Sequence, residues 1–261
     1  MTERKDPWPA GTPCWVDLTA SDPARTREFY HRILGWEYSD PDPEQGGSSR
    51  ALVDGRPVAG LSPSVPDLQG VPHLWQVHLA SDRIDASAQR VRAAGGKQLV
   101  APVPAGPSGT TGIFADPTGA TFGLWQAGEH LGFAVVGEPG AVAWCDLMTP
   151  DHDAARDFYA EVFGYSYEDI GRDGTSYALF TVPGGGRPAG GICGTDPAAG
   201  SAPAVWSVCF EVTDVDAAVQ RVRETGGSVM EDPVEFEHGR LAVVAGPDRE
   251  SFALLAPTGP A

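Results

Sequence analysis

The feature that most constrains this chain is that it repeats itself. At a constant offset of 129 residues, Trp15, Asp17, Leu18 and Asp22 fall on Trp144, Asp146, Leu147 and Asp151, and Phe29-Tyr30 and Gly35 fall on Phe158-Tyr159 and Gly164. A second set matches at an offset of 131: Trp75, Val77, Gln89-Arg90-Val91-Arg92 and Gly95-Gly96 return as Trp206, Val208, Gln220-Arg221-Val222-Arg223 and Gly226-Gly227. With 261 residues, 41% of them hydrophobic, the chain has material for one large core or two modest ones. The duplication selects two.

Local patterns give each copy the same order of elements. Trp15, Asp17 and Thr19 alternate with Val16 and Leu18, the period of a half-buried strand. Asp22 stands at an N-cap position with Pro23 after it; apolar residues follow at Phe29, Ile33 and Leu34, and Gly35 ends the helix. After Trp36-Glu37-Tyr38, Asp54-Gly55 separates the runs 50–53 and 58–61, a hairpin signal. A second unit of strand, helix and three strands is expected over 74–80, 84–94, 97–100, 112–115 and 120–126, with Asp116-Pro117-Thr118-Gly119 as the last turn. The predicted fold class is α+β: four βαβββ modules, A, B, A′ and B′, in two domains spanning 13–127 and 141–258. Residues 1–12 are expected to form a tail, and 63–72 and 128–140 to be linkers. Each module is too small to be stable alone, and pairing A with B, and A′ with B′, would bury the sheet faces.

The formal net charge is -17, with no run of Lys or Arg against it. Such a surface repels nucleic acid and anionic membranes, so neither is an expected partner. The polar start, Met1 to Asp6, does not resemble a signal peptide, and no stretch of eighteen apolar residues spans a bilayer. Four cysteines, at 14, 145, 193 and 209, lack the paired spacing of zinc or redox sites. A cytoplasmic protein with reduced thiols is expected.

The pattern Val-Asp-x4-Asp-x6-Phe-Tyr, the Gly-Gly helix stop and Asp116-Pro117-Thr118-Gly119 before the last strand resemble the vicinal oxygen chelate superfamily of glyoxalases, bleomycin-resistance proteins and extradiol dioxygenases. The resemblance covers nearly all of the chain past residue 12, and it implies paired βαβββ modules whose sheets curl around a cavity. It also implies where metal ligands would stand: a His in the first strand of each module of a pair, and a Glu in the last strand of the second. Those positions hold Trp15, Gln76 and Gly123 in the first half and Trp144, Ser207 and Ala253 in the second. Tryptophan, glycine and alanine carry no donor for a divalent metal, so no metal and no cofactor is expected.

Strand parity then selects the cavity residues. The first cavity would be lined by Trp15, Asp17, Gln76, His78, Gly123 and Trp125, and the second by Trp144, Asp146, Ser207 and Cys209, with Ala253 and Leu255. Asp17 and His78 admit two readings. A carboxylate beside an imidazole can orient it as a general base, which makes them the candidate catalytic pair; alternatively Asp17 and Asp146 cap backbone amides or pair with an arginine. Arg56 and Arg187, which recur before a proline, would meet that acid or an anionic ligand. Gly123 opposite a tryptophan leaves room for a ligand, whereas Trp75 and Trp206 read as core and His31, His130, His152 and His238 as solvated. The expected function is metal-free binding of a small aromatic or apolar molecule, of the resistance or sequestration type, with a homodimer possible. The alternative is a tailoring enzyme, an isomerase, lyase or hydroxylase-like protein using Asp17 and His78, metal-free or with a displaced metal site.

Overall fold

The computed structural model describes residues 4–64, 73–171, 174–195 and 203–258. Most of the predicted A–B linker, 65–72, lies outside them. Module A contains β1 (Pro13–Ala20), α1 (Pro23–Leu34), β2 (Glu37–Tyr38), β3 (Ser49–Val53) and β4 (Arg56–Pro63). Module B contains β5 (Gln76–Ala80), α2 (Ile84–Ala93), β6 (Lys97–Pro104), β7 (Gly109–Ala115) and β8 (Thr121–Ala127). A′ follows with β9 (Val142–Thr149), α3 (His152–Phe163), β10 (Ser166–Asp169), β11 (Tyr177–Thr181) and β12 (Gly190–Gly194), and B′ with β13 (Val205–Glu211), α4 (Val215–Glu224), β14 (Ser228–Phe236), β15 (Gly239–Ala245) and β16 (Ser251–Pro257). The strands form two eight-stranded sheets, ordered β2-β3-β4-β1-β5-β8-β7-β6 and β10-β11-β12-β9-β13-β16-β15-β14. The expected α+β fold of four βαβββ modules is what forms. No helix among the described residues is long and apolar enough to cross a membrane.

The helix limits follow the capping chemistry. Asp22 accepts from the backbone N–H groups of Ala24 and Arg25, Pro23 starts α1, and Gly35 closes it in the left-handed region at φ 72°. Asp151 and Asp214 cap α3 and α4 in the same way, and α2 borrows its cap from Gln126, whose Oε1 accepts from the N–H of Ile84. β6 and β7 run longer than expected because register shifts in their ladder let the extra residues pair. β5 begins at Gln76, two residues later than its apolar pattern suggested.

Contacts group the chain into two units interleaved along the sequence. One contains 1–15, 76–132 and 145–207; the other contains 16–75, 133–144 and 208–261. Each therefore holds one helix from each half: α2 packs against α3 in the first, α1 against α4 in the second. The expected pairing of A with B and of A′ with B′ is seen in the strand order of the two sheets, while beneath the helices A is closed by B′, and B by A′. The motifs explain this pairing. A Cβ on Gly227 would lie 2.8 Å from Cε2 of Phe29, and one on Gly96 would lie 2.9 Å from Cε2 of Phe158, so the second glycine of each Gly-Gly pair is the flat surface that receives the other module's phenylalanine.

The neighbouring tyrosines complete the two cores. In one unit Tyr30 stacks on Trp36 at 5.1 Å and meets Trp75 edge-on at 5.4 Å. Its hydroxyl donates to Glu250 at 2.8 Å and accepts from the Trp75 indole at 3.2 Å. In the other, Tyr159 donates to Asp116 at 3.1 Å and accepts from Trp206 at 2.9 Å. Trp75 and Trp206 are core residues, as expected, and their indole N–H groups are satisfied. Desolvation pushes both carboxyls above their ordinary range, and hydrogen bonds oppose it.

Two expected loose segments are docked. Gly11 donates to the carbonyl of Ala80, Ala80 donates to that of Thr12, and the Tyr165 hydroxyl donates to that of Gly11, so the end of the tail belongs to the first unit. In the second unit, residues of the 128–140 linker bury Phe133 and Val135, and the Gly140 carbonyl accepts from the Trp36 indole.

Candidate functional site

In each module one sheet face lies under the helices, and the other carries the predicted site residues. In B, Leu79, Phe114, Phe122 and Leu124 are fully buried on the helix side. The opposite face is read along the ladder: Val100 pairs with Ile113, Ile113 with Gly123, and Gly123 with His78, and beside this row Val103 pairs with Thr111 and Thr111 with Trp125. Residues paired across adjacent strands share a face. Val100 and Val103 on the edge strand are nearly half exposed, Ile113 and Thr111 are part-exposed, and His78 and Trp125 are buried. The face is an apolar floor that opens toward β6 and deepens toward an imidazole.

Gly123 shapes this face, though not by leaving space. A Cβ there would lie 2.5 Å from Cε1 and 2.6 Å from Cγ of His78, with Nδ1 closer still. The imidazole lies against the bare backbone of β8 and fills the room expected for a ligand. Any ligand would meet His78 from its other side.

Trp15 and Trp125 share a cover that the sequence did not reveal. His130 meets Trp15 edge-on with ring centroids 4.3 Å apart and Trp125 at 5.5 Å, and its carbonyl accepts from the Trp125 indole at 2.9 Å. The segment holding His130 is tied to 107–108: Gly128 and His130 donate to the Ser108 carbonyl, and Glu129 donates to that of Pro107. His130 is therefore a part-exposed wedge against two tryptophans and not a freely solvated loop residue.

The first unit brings together Trp15, Gln76, His78, Gly123 and Trp125 of the predicted set. It also holds Asp146 and Ser207, on strands β9 and β13. Asp146 accepts from the Tyr177 hydroxyl at 2.8 Å. Asp17, Arg56, Trp144 and Cys209 belong to the second unit. There Asp17 is half-buried opposite Gly60 of β4. Arg56 is held by Glu138 at 2.8 Å, and that bond raises its pKa further. Cys209 is buried opposite Ala253 of β16. The B′ face continues from it through Val243, with Leu255 and Leu241 paired in the next row. Ile113, Thr111, Leu241 and Val243 had little signal in the sequence, because β7 and β15 do not alternate apolar with polar residues. His130 had none, because a loop residue between glycines carries no periodicity.

The model for the Glyoxalase/Bleomycin resistance protein/Dioxygenase superfamily matches the chain twice, over residues 14–124 and 141–254. The chain belongs to this superfamily. Its relatives include "Putative glyoxylase CFP32" of Mycobacterium tuberculosis, 34% identical with 95% of each chain covered. The anthracycline biosynthesis protein DnrV of Streptomyces peucetius is 35% identical, covering 94% of this chain and 93% of that one. Among solved structures, the Mn(II)-bound glyoxalase from Novosphingobium aromaticivorans shares the fold at a TM-score of 0.64 and 18% identity, covering 94% of this chain and 82% of that one. The 2,2',3-trihydroxybiphenyl 1,2-dioxygenase from Sphingomonas wittichii does so at 0.63 and 16%, covering 94% and 90%.

The superfamily's metal positions were tested against these faces. Trp15 is packed against the ring of His130, and Gly123 is covered by the imidazole of His78. No group of three or more His, Cys, Asp or Glu that could hold a metal ion occurs among the described residues.

Proposed function

We propose that this member of the superfamily binds a small, flat, aromatic or apolar molecule on the open face of module B, without a metal, in the manner of a resistance or sequestration protein. The observation that carries the reading is the composition of that face, with Val100, Val103 and Ile113 as its floor, His78 at its deep end and two tryptophans beside it. An apolar floor with one polar group is the usual build of a small-molecule site. The names of DnrV and DauV, which tie those relatives to anthracycline biosynthesis, support a polycyclic ligand. They also support a second reading, a tailoring enzyme in which His78 exchanges a proton with the bound molecule.

Titration with 1-hydroxyanthraquinone, followed by tryptophan fluorescence and calorimetry, tests the first reading. Saturable binding that weakens at least tenfold on Ile113→Asp supports it, and absence of binding in the intact protein overturns it. For the enzyme reading, His78→Ala abolishes turnover of a bound substrate while binding persists; unchanged turnover removes His78.

A further inference from the structure

One side chain of the module B face is at odds with its surroundings. Thr111 lies in the middle of β7, paired with Trp125 on one side and Val103 on the other, and its neighbours along the same face are Gly109 and Ile113. The residue is part-exposed, yet its Oγ1 is buried and has no hydrogen-bond partner. Most buried hydroxyls are paired, because an unpaired one forfeits the bonds it made to water.

Its surroundings explain the missing partner. Trp125 turns its six-membered ring over the start of β7, so that a Cβ on Gly109 would lie 2.8 Å from its Cζ2 and 3.1 Å from its Cη2. The indole N–H is given to the His130 carbonyl at 2.9 Å, and the Gln76 amide to the Val77 carbonyl at 3.3 Å. Thr111 is left among an aromatic ring, Val103 and Ile113. Nor does the fold ask for a hydroxyl there: in B′ the same place in the ladder, between Leu255 and Val234, is held by Leu241.

Resting on the proposal that module B binds an aromatic molecule, we infer that Thr111 is the residue that selects it, by reading a hydroxyl or carbonyl oxygen on the rim of the ring. A threonine hydroxyl both donates and accepts, so a phenol and a quinone carbonyl are each matched, whereas a bare hydrocarbon is not. Rotation about χ1 exchanges Oγ1 with Cγ2 between staggered positions, and here it breaks no hydrogen bond, since Oγ1 makes none. A ligand oxygen set against β7, with the apolar body over Val100, Val103 and Ile113, gives the hydroxyl the partner that the protein does not provide. The leucine at this place in B′ reads no such group.

Two probes of one shape, 1-naphthol and 1-methylnaphthalene, differ by a hydroxyl against a methyl. Equilibrium dialysis gives the ratio of their Kd values in the intact protein, in Thr111→Val, which keeps the shape and loses the hydroxyl, and in Thr111→Ser, which keeps the hydroxyl. The ratio is expected to move against 1-naphthol by about fivefold or more in Thr111→Val and to stay within about twofold of the parent in Thr111→Ser. Without a probe, Thr111→Val should melt no lower than the parent, because no hydrogen bond is lost. A ratio unchanged in Thr111→Val, or a lowered Tm of that variant, overturns the assignment and leaves the module B proposal standing. If neither probe binds the intact protein, the module B proposal itself falls, and the assignment with it.

Discussion

Replacing Tyr159 by Phe isolates the hydrogen bonds that join module A′ to module B. The ring keeps its stacking on Tyr165, with centroids 5.8 Å apart, and its place beside Phe163, so no cavity opens and only the hydroxyl is lost. Two bonds go with it: the one it donates to Asp116, and the one it accepts from Trp206. Asp116 keeps the backbone N–H groups of Thr118 and Ala120 and the Thr118 hydroxyl, so its share of the loss is about 1 kcal/mol. Trp206 is 2% exposed and its indole N–H is left without an acceptor, which costs about 1–3 kcal/mol. The sum is about 2–4 kcal/mol. At roughly 2–4 °C per kcal/mol for a domain of 150–250 residues, Tm falls by about 4–16 °C. Differential scanning calorimetry reads it, and a double-mutant cycle with Trp206→Phe should return, as its coupling energy, the part owed to the orphaned indole. A Tm within about 2 °C of the parent refutes the reasoning, because it would mean the hydroxyl is as well satisfied without either partner.

Asp116→Asn tests the pH dependence. Burial raises the carboxyl's folded pKa above its unfolded value, so the stability it contributes is fully present below the unfolded pKa and is lost as pH rises through the folded pKa. Chemical denaturation from pH 4 upward should therefore show the variant gaining on the parent, and a constant difference across the range would contradict the burial argument. Gly123→Ala drives a methyl into the His78 ring and should cost about 1–3 kcal/mol while shifting the histidine's NMR signals; an unmoved imidazole would show that β8 yields instead. With Cys14, Cys145 and Cys209 buried and Cys193 part-exposed, a thiol reagent should label the native chain at Cys193 first, and equal labelling of all four would mean that the strands open on the labelling timescale. Glu250→Ala should destabilise A against B′, and adding Gly246→Asp should restore most of the loss in thermal denaturation; no rescue would mean that the carboxylate's position is not what matters.

Much of the fold was legible because its signals are local. Asp22-Pro23 and Gly35 state a helix's two ends, Asp54-Gly55 states a hairpin, and a repeat of weak signals in one order is no longer weak. The packing beneath the helices was not legible, since Phe29 with Gly227 and Phe158 with Gly96 is a fit between surfaces distant in sequence. On β5 and β8, strand parity puts His78, Gly123 and Trp125 on one face, the one the ladder gives them. It could not foresee that His78 would lie on Gly123, because parity gives a direction and not a rotamer. Nor could it see His130, whose seat between two tryptophans depends on backbone bonds to Pro107 and Ser108.

The two turn carboxylates show which constraints outlast duplication. In B the acid is Asp116, the first residue of its turn, and it binds Thr118 and Ala120 besides Tyr159. In B′ that position is Gly246, and the acid has moved to Glu250, the place of Ala120. A Cβ on Gly246 would lie 2.5 Å from Cδ of Glu250, so the glutamate folds back into the space the aspartate would have used. There it accepts from the backbone of Asp248 and from Tyr30, as its counterpart accepts from Thr118 and Tyr159. The carboxylate kept its place while its residue changed, because the buried tyrosine must still donate and the turn's N–H groups must still be met. No such pair of obligations binds the open faces. Of the equivalent strand acids, Asp17 has Arg50 across its glycine and Asp146 has Tyr177, and the position of His78 on β5 is held by Cys209 on β13. Divergence of this kind, confined to the faces away from the helices, is what is expected where the core of a duplicated fold is held by more obligations than its open faces.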